Sequence, residues 1–150
     1  MTKSTHRRTV MLLGIDLLAV SVAAVANMIV GFVWYSPLVI GKPWMRARGY
    51  DQDKKKQPAA GANQVQTYGL SFVASLVTAF VLATTITAFA ISTITNAALL
   101  GFAIWVGFVL TTMVVHELYS DQPRFGLLAM DAGYHLVGLP VMAVVLFLLS

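Results

Sequence analysis

Apolar residues run along this chain without charge for lengths that a water-soluble helix does not require. Residues 17–41 carry no Asp, Glu, Lys or Arg, residues 57–115 carry none, and after Arg124 the one formal charge is Asp131. A helix that crosses the hydrocarbon of a bilayer needs about 20 mostly apolar residues. The first run holds one such crossing, the second two and the last one. The pattern predicts an all-α integral membrane protein, a single domain forming a four-transmembrane-helix bundle with helices at about 11–35, 68–91, 95–119 and 125–149. The second run breaks at Ser92-Thr93-Ile94-Thr95-Asn96, and the last helix is set off by Tyr119 to Arg124 with Pro123 as the stop signal. Connections this short predict that helices two, three and four are antiparallel neighbours.

The connection between helices one and two is longer. Leu38 to Tyr50 mixes Val39, Ile40, Trp44 and Met45 with Lys42, Arg46 and Arg48, which suits a short segment lying in the membrane interface. Asp51-Gln52-Asp53-Lys54-Lys55-Lys56 then opens a polar linker. Its two aspartates lack the glycine and closing glutamate of a calcium loop.

Composition agrees with the pattern. Apolar residues make up 58% and charged residues 11%, against about 45–50% and about 25% in soluble domains. The net charge of +4 and the pI near 9.6 raise the question of nucleic acid. The cations, however, sit at segment ends, not along one helix face or among aromatics, so no nucleic-acid partner is expected. They read as topology signals, and in the basic loop as contacts for anionic lipid of the bilayer. Lys42, Arg46, Arg48, Lys54, Lys55, Lys56 and Arg124 fall on one side of the predicted membrane, Lys3, Arg7 and Arg8 on the other. The richer side is expected in the cytoplasm, with both termini outside. Arg7-Arg8, an apolar run and Ala24-Val25-Ala26 resemble a signal peptide, but the run continues to Trp34 and Asp16 interrupts it, so the first helix is expected to stay. The absence of cysteine rules out disulfides and thiol chemistry.

Gly31-Phe32-Val33-Trp34-Tyr35-Ser36-Pro37, followed by Gly41-Lys42-Pro43-Trp44-Met45, resembles the signature of a bacterial membrane family known as domain of unknown function 1761. Gly107 to Thr112 in helix three and Asp131-Ala132-Gly133-Tyr134-His135-Leu136-Val137 in helix four agree with it. The resemblance covers most of the chain, leaving out the linker near 51–66 and the residues before about Leu13. It implies a compact four-helix domain in a bacterial inner membrane, and it carries no activity or catalytic residue.

Trp34 and Tyr35 fall where helix one should leave the hydrocarbon, as amphipathic rings do at a membrane boundary. Pro37 pushes Ser36 out of the helical region and ends the helix. The resulting turn through Gly41 and Trp44 either anchors the chain or presents Lys42 to a phosphate. Ser71, Ser75, Ala79, Ala83 and Thr87 recur every four residues on helix two, and small residues on one face let helices approach closely in lipid. Ala23, Asn27 and Gly31 form a shorter version on helix one, and Ala129 and Gly133 another on helix four.

His116-Glu117 opens like a zinc-helix motif, but the second histidine would have to be residue 120, which is Ser120, so no metal or other cofactor is expected. Asp131 and His135 differ in kind. An ionisable group at a helix centre costs at least ~2.5–3.5 kcal/mol on insertion scales and normally faces partners inside the bundle. Asp131 and His135 share a helix face. At 1.5 Å per residue, Asn27 and Thr78 fall at the depth of His135, with Thr111 and Thr112 slightly shallower. This predicts an intramembrane polar layer with Asn27 within reach of His135, serving as a structural clamp or as a proton or ion relay. No nucleophile–base pair and no phosphate loop is present, so an enzyme is the weakest reading. The expected function is a non-enzymatic protein that binds or moves a small solute, ion or lipid, as a homo-oligomer. The alternative is an accessory subunit of a membrane complex.

Overall fold

The computed structural model describes residues 11–12, 14–50 and 62–150. The expected linker at 51–56 and the N-terminal cations Lys3, Arg7 and Arg8 lie outside these residues. Four helices are long and apolar enough to cross a membrane, and the protein is an all-α four-helix membrane protein. A two-residue antiparallel ladder, β1 (Met11–Leu12) and β2 (Ile15–Asp16), precedes α1 (Leu17–Trp34). A short helix, α2 (Gly41–Arg48), leads to α3 (Ala62–Ala88). Helix three is composite, with α4 (Ile94–Ile104), a π-helical turn (Trp105–Leu110) and α5 (Thr111–Leu118) in one continuous rod. The last helix is α6 (Phe125–Leu149).

Helix one starts at residue 17, not near 11, for two local reasons. Gly14 takes a left-handed φ of 79° that turns the ladder. Asp16 then accepts hydrogen bonds from the backbone N–H groups of Leu18 and Ala19, capping donors that a helix start leaves unpaired. The helix ends at Trp34, and the chain folds back so that Gly41 N–H donates to Ser36 O over 2.9 Å. Pro43 sits in the first turn of α2, where a missing N–H costs nothing, and Gly49 closes that helix in the left-handed region at φ 75°. Thr93 caps α4 through the Asn96 N–H.

The packing order differs from the expectation. α6 is central, with α1 and α3 on one side and α4 on the other, and α3 touches α4 only slightly despite the short turn between them. The cause is a close crossing of α4 and α6: a Cβ at Gly101 would lie 2.7 Å from Leu139 O and from Pro140 N and Cα. Backbone approach of this kind binds helix three to helix four and leaves its other sides to lipid.

The core fills one half of the bundle. Ile15, Ala19, Val20 and Ala23 of the first helix and its lead-in pack with Ala79, Leu82, Ala83 and Ile86 of α3. Leu139, Met142, Ala143 and Leu146 of α6 close the cluster. The small-residue stripe of α3 works at its middle, where Ser75, Ala79 and Ala83 are buried, while Ser71 and Thr87 at its ends are exposed. Toward the other end the first two turns of α3, residues 64–71, are exposed throughout. That more open half carries the polar chemistry, together with Lys42, Arg46, Arg48 and Arg124, the four cations among the described residues.

Candidate functional site: a tryptophan clamp on helix four and the cavity beside it

A tryptophan in hydrocarbon needs an acceptor for its indole N–H. The chain has three tryptophans, and all three donate to consecutive residues of α6. Trp34 Nε1 donates to Met130 O at 3.0 Å, Trp44 Nε1 to Asp131 Oδ1 at 2.8 Å and Trp105 Nε1 to Ala132 O at 2.9 Å. A helical carbonyl has a second lone pair, so the two backbone acceptors keep their place in the helix. Gly133 makes the slot for the first of these rings: a Cβ there would come within 2.6 Å of Trp34 Cζ2.

Asp131 is the centre of the clamp. Its Oδ1 also accepts from the Tyr35 hydroxyl at 2.8 Å, and its Oδ2 pairs with Arg48 Nη2 at 3.1 Å. Burial first, and then the bonded Asp131 carboxylate, push the Tyr35 phenol up from its ordinary value, so it stays protonated as a donor. The Arg48 guanidinium lies 5.1 Å from the Trp44 ring centroid, a cation–π distance. Tyr35 meets Trp44 edge-on at 5.2 Å between centroids and lies 5.7 Å from Tyr134. The segment after helix one is thereby folded onto helix four. Trp34 and Tyr35 do not form a belt that only faces the membrane boundary; their polar atoms turn inward. Within the same segment Pro37 and Lys42 are exposed, and Ser36 and Gly41 hold the turn.

The deeper polar layer divides into separate local arrangements. Asn27 Nδ2 donates to Ser75 Oγ at 3.0 Å, joining α1 to α3, and its amide oxygen lies against Gly138. The His135 ring packs on Tyr134 with centroids 4.7 Å apart, and no direct hydrogen bond joins it to Asn27 among the described residues. Along α6, Asn27 meets Gly138, three residues beyond His135. Azimuth was the missing coordinate, because the face of α6 opposite Asn27 carries Tyr134 and Gly138. Thr78, Thr111 and Thr112 each donate to a carbonyl of their own helix, at Ala74, Gly107 and Phe108, while Thr112 also lines, with Asp131, the cavity described below. That back-bond satisfies a hydroxyl locally without a partner helix. Gly31 lies against the Tyr134 ring, and Ala129 is exposed.

Beside the clamp lies a cavity of about 390 Å³. Arg48 and Asp131 line it together with His116 and Glu117 of α5, and Met113 and Leu128 supply apolar wall. The π turn brings the α5 residues here. It inserts one extra residue, which rotates the helix beyond it by roughly 100° relative to an unbroken α-helix. Glu117 also accepts the backbone N–H of Arg124, and Arg124 Nη1 donates to Ala47 O at 3.3 Å, tying the last loop to α2. Among the described residues no three His, Asp or Glu side chains converge to hold a metal ion.

Sequence reasoning missed Arg48, Trp105 and Tyr134. The first two had signals. An intramembrane carboxylate needs a donor, and Arg48 lies in the basic segment nearest to it in depth. A tryptophan in the middle of a span needs an acceptor.

Four apolar helices with an aromatic and ionic clamp at one end define a polytopic membrane protein of all-α class. The chain matches the family described as "Protein of unknown function (DUF1761)" over residues 18–147, and it belongs to that family. No curated protein and no solved structure matches it.

Proposed function

We propose that this is a non-enzymatic membrane protein that binds a small solute or lipid in the cavity beside Asp131, and that it works as a homo-oligomer. The observation that carries this reading is the cavity itself, where Arg48, Asp131, His116 and Glu117 meet an apolar wall. Convergent polar groups in a partly apolar hollow are the usual form of a ligand site. The opposite half of the bundle is filled by the core, so any path across the membrane would run between copies. Gentle extraction followed by native mass spectrometry tests both parts. The expected result is an assembly of two or more copies carrying a retained small molecule. In the Leu128→Trp variant, whose larger side chain fills the cavity, that molecule is lost. Retention of the same ligand by the variant would overturn the site, and a single copy would overturn the assembly.

The clamp end is proposed to face the cytoplasm, because the described cations gather there and cations are retained on that side. With no native cysteine, single cysteines report without background. Gln122→Cys should resist a membrane-impermeant maleimide in intact cells, and Ser92→Cys should react. The reverse pattern would invert the protein.

A further inference from the structure

From the charge layout of the cavity we infer that its ligand is a phospholipid with a zwitterionic, primary-amine headgroup, of the phosphoethanolamine type. The inference rests on the cavity being a ligand site, as proposed above, and names what fills it.

The argument begins with donors. A guanidinium carries five N–H groups. Arg48 uses one, on Asp131 Oδ2, while the Trp44 face helps hold the guanidinium in place. Its remaining donors are held beside the cavity, in the fork that suits a phosphate. A purely anionic headgroup nevertheless fits poorly. Asp131 and Glu117 both line the cavity against the single Arg48, which leaves an excess of negative charge when His116 is neutral. A purely cationic ligand fits no better, since it would leave the Arg48 donors idle. A headgroup carrying one phosphodiester and one ammonium answers both sides.

The ammonium is further defined by its surroundings. A trimethylammonium donates no hydrogen bond and is held by aromatic faces. Among the described residues no Trp, Tyr or Phe lines this cavity. The walls offer carboxylate acceptors instead, and a primary ammonium has three donors for them. Among the described residues Asp131 Oδ2 has one partner, Arg48, and Glu117 uses one oxygen on the Arg124 N–H, so both retain acceptor capacity.

The ligand is a lipid, not a soluble solute, because of place and wall. Asp131 lies six residues beyond Phe125, the first residue of the apolar span α6, or about 9 Å along that helix. Met113, Leu127 and Leu128 provide apolar contact at this level.

The test uses the full chain in a mild detergent and native mass spectrometry with added lipids of identical acyl chains. Phosphatidylethanolamine should bind at least tenfold more tightly than phosphatidylcholine or phosphatidylglycerol. Arg48→Gln and Glu117→Gln should each weaken it about tenfold. Arg48→Gln leaves Asp131 its Tyr35 and Trp44 donors, and a glutamine at 117 still accepts the Arg124 N–H. If either variant fails to fold, Leu128→Trp carries the test by filling the cavity without touching a charge. Equal binding of the three lipids, or tighter binding of phosphatidylglycerol, would overturn the inference. So would competition by water-soluble glycerophosphoethanolamine at equal concentration, which would reassign the cavity to a soluble solute. Should Leu128→Trp displace some other retained molecule while the lipids bind alike, the ligand class fails and the cavity stands as a binding site. If it displaces nothing, both readings fail together.

Discussion

Asp131→Ala is expected to destabilise the protein by about 2–3 kcal/mol and to release α2 from the bundle. Three side chains donate to this carboxylate: Tyr35 and Trp44 at 2.8 Å each and Arg48 at 3.1 Å. Hydrogen bonds to a charged acceptor contribute about 1.5–3 kcal/mol each in soluble proteins. In membrane proteins measured side-chain couplings average nearer ~0.6 kcal/mol, because the unfolded segments also find partners. The Arg48 side chain is 40% exposed, so its share is discounted toward a surface pair. The two aromatic donors bear most of the effect. They are held against each other and part-buried, and water would not fully replace the lost acceptor. Asp131→Asn should fall between, since its amide oxygen serves Tyr35 and Trp44 while its NH₂ opposes Arg48. Thermal melts in detergent measure the loss. Limited trypsin digestion of proteoliposomes should show faster cleavage after Arg46 and Arg48 in Asp131→Ala. A melting midpoint and a digestion rate equal to those of the parent would show that the clamp does not hold α2.

The spans were legible because hydrocarbon imposes one rule on every residue within it. A crossing must be long, apolar and helical, and the charge-free runs met that rule without reference to any neighbour. The start and end of α6, Phe125–Leu149, coincide with the expected 125–149. Helix one starts later than apolarity alone indicates, because the apolar Met11 and Leu12 belong to the ladder before it. The aspartate at 16, just before an apolar run, is the capping signal that fixes the true start. Asp131 stood out as a residue needing partners, and it has them. The need for partners was legible but their identity was not, because depth along a helix is given by residue count whereas the facing side depends on packing. Trp34 and Tyr35 illustrate the difference. Their position at the end of a span is right for a boundary belt, yet Gly133 opens a slot that turns Trp34 inward. Helix three was hidden for another reason. Nothing in Trp105 to Leu110 marks a π turn, and its extra residue shifts Met113, His116 and Glu117 away from the face that simple helical spacing gives them. The cavity depends on that shift and so could not be read from the chain.

Gly101→Ala is expected to have an effect as large, by a purely steric route. The added Cβ would stand 2.7 Å from Leu139 O and from Pro140 N and Cα. These are backbone atoms, so no rotamer change can make room. Overpacking typically costs about 1–3 kcal/mol, and a contact with backbone on both sides belongs near the top of that range. The site matters beyond its own cost, because α4 is held in the bundle chiefly by α6 and touches α3 only slightly. Forcing α4 from α6 also pulls on the bond from Trp105 Nε1 to Ala132 O, 2.9 Å long and about one helical turn away along the same rod. α5 then moves with it, and the cavity wall formed by Met113, His116 and Glu117 loses its place. Gly107 provides the matched control on the same helix, since a Cβ there meets nothing within 4 Å. Gly107→Ala should be neutral or slightly stabilising, as an alanine restricts the unfolded chain more than a glycine does. Gly101→Ala should therefore melt well below the parent and lose the ligand proposed for the cavity, while Gly107→Ala keeps both. Equal melting of the two variants would show that helix three is held by something other than its crossing with Pro140.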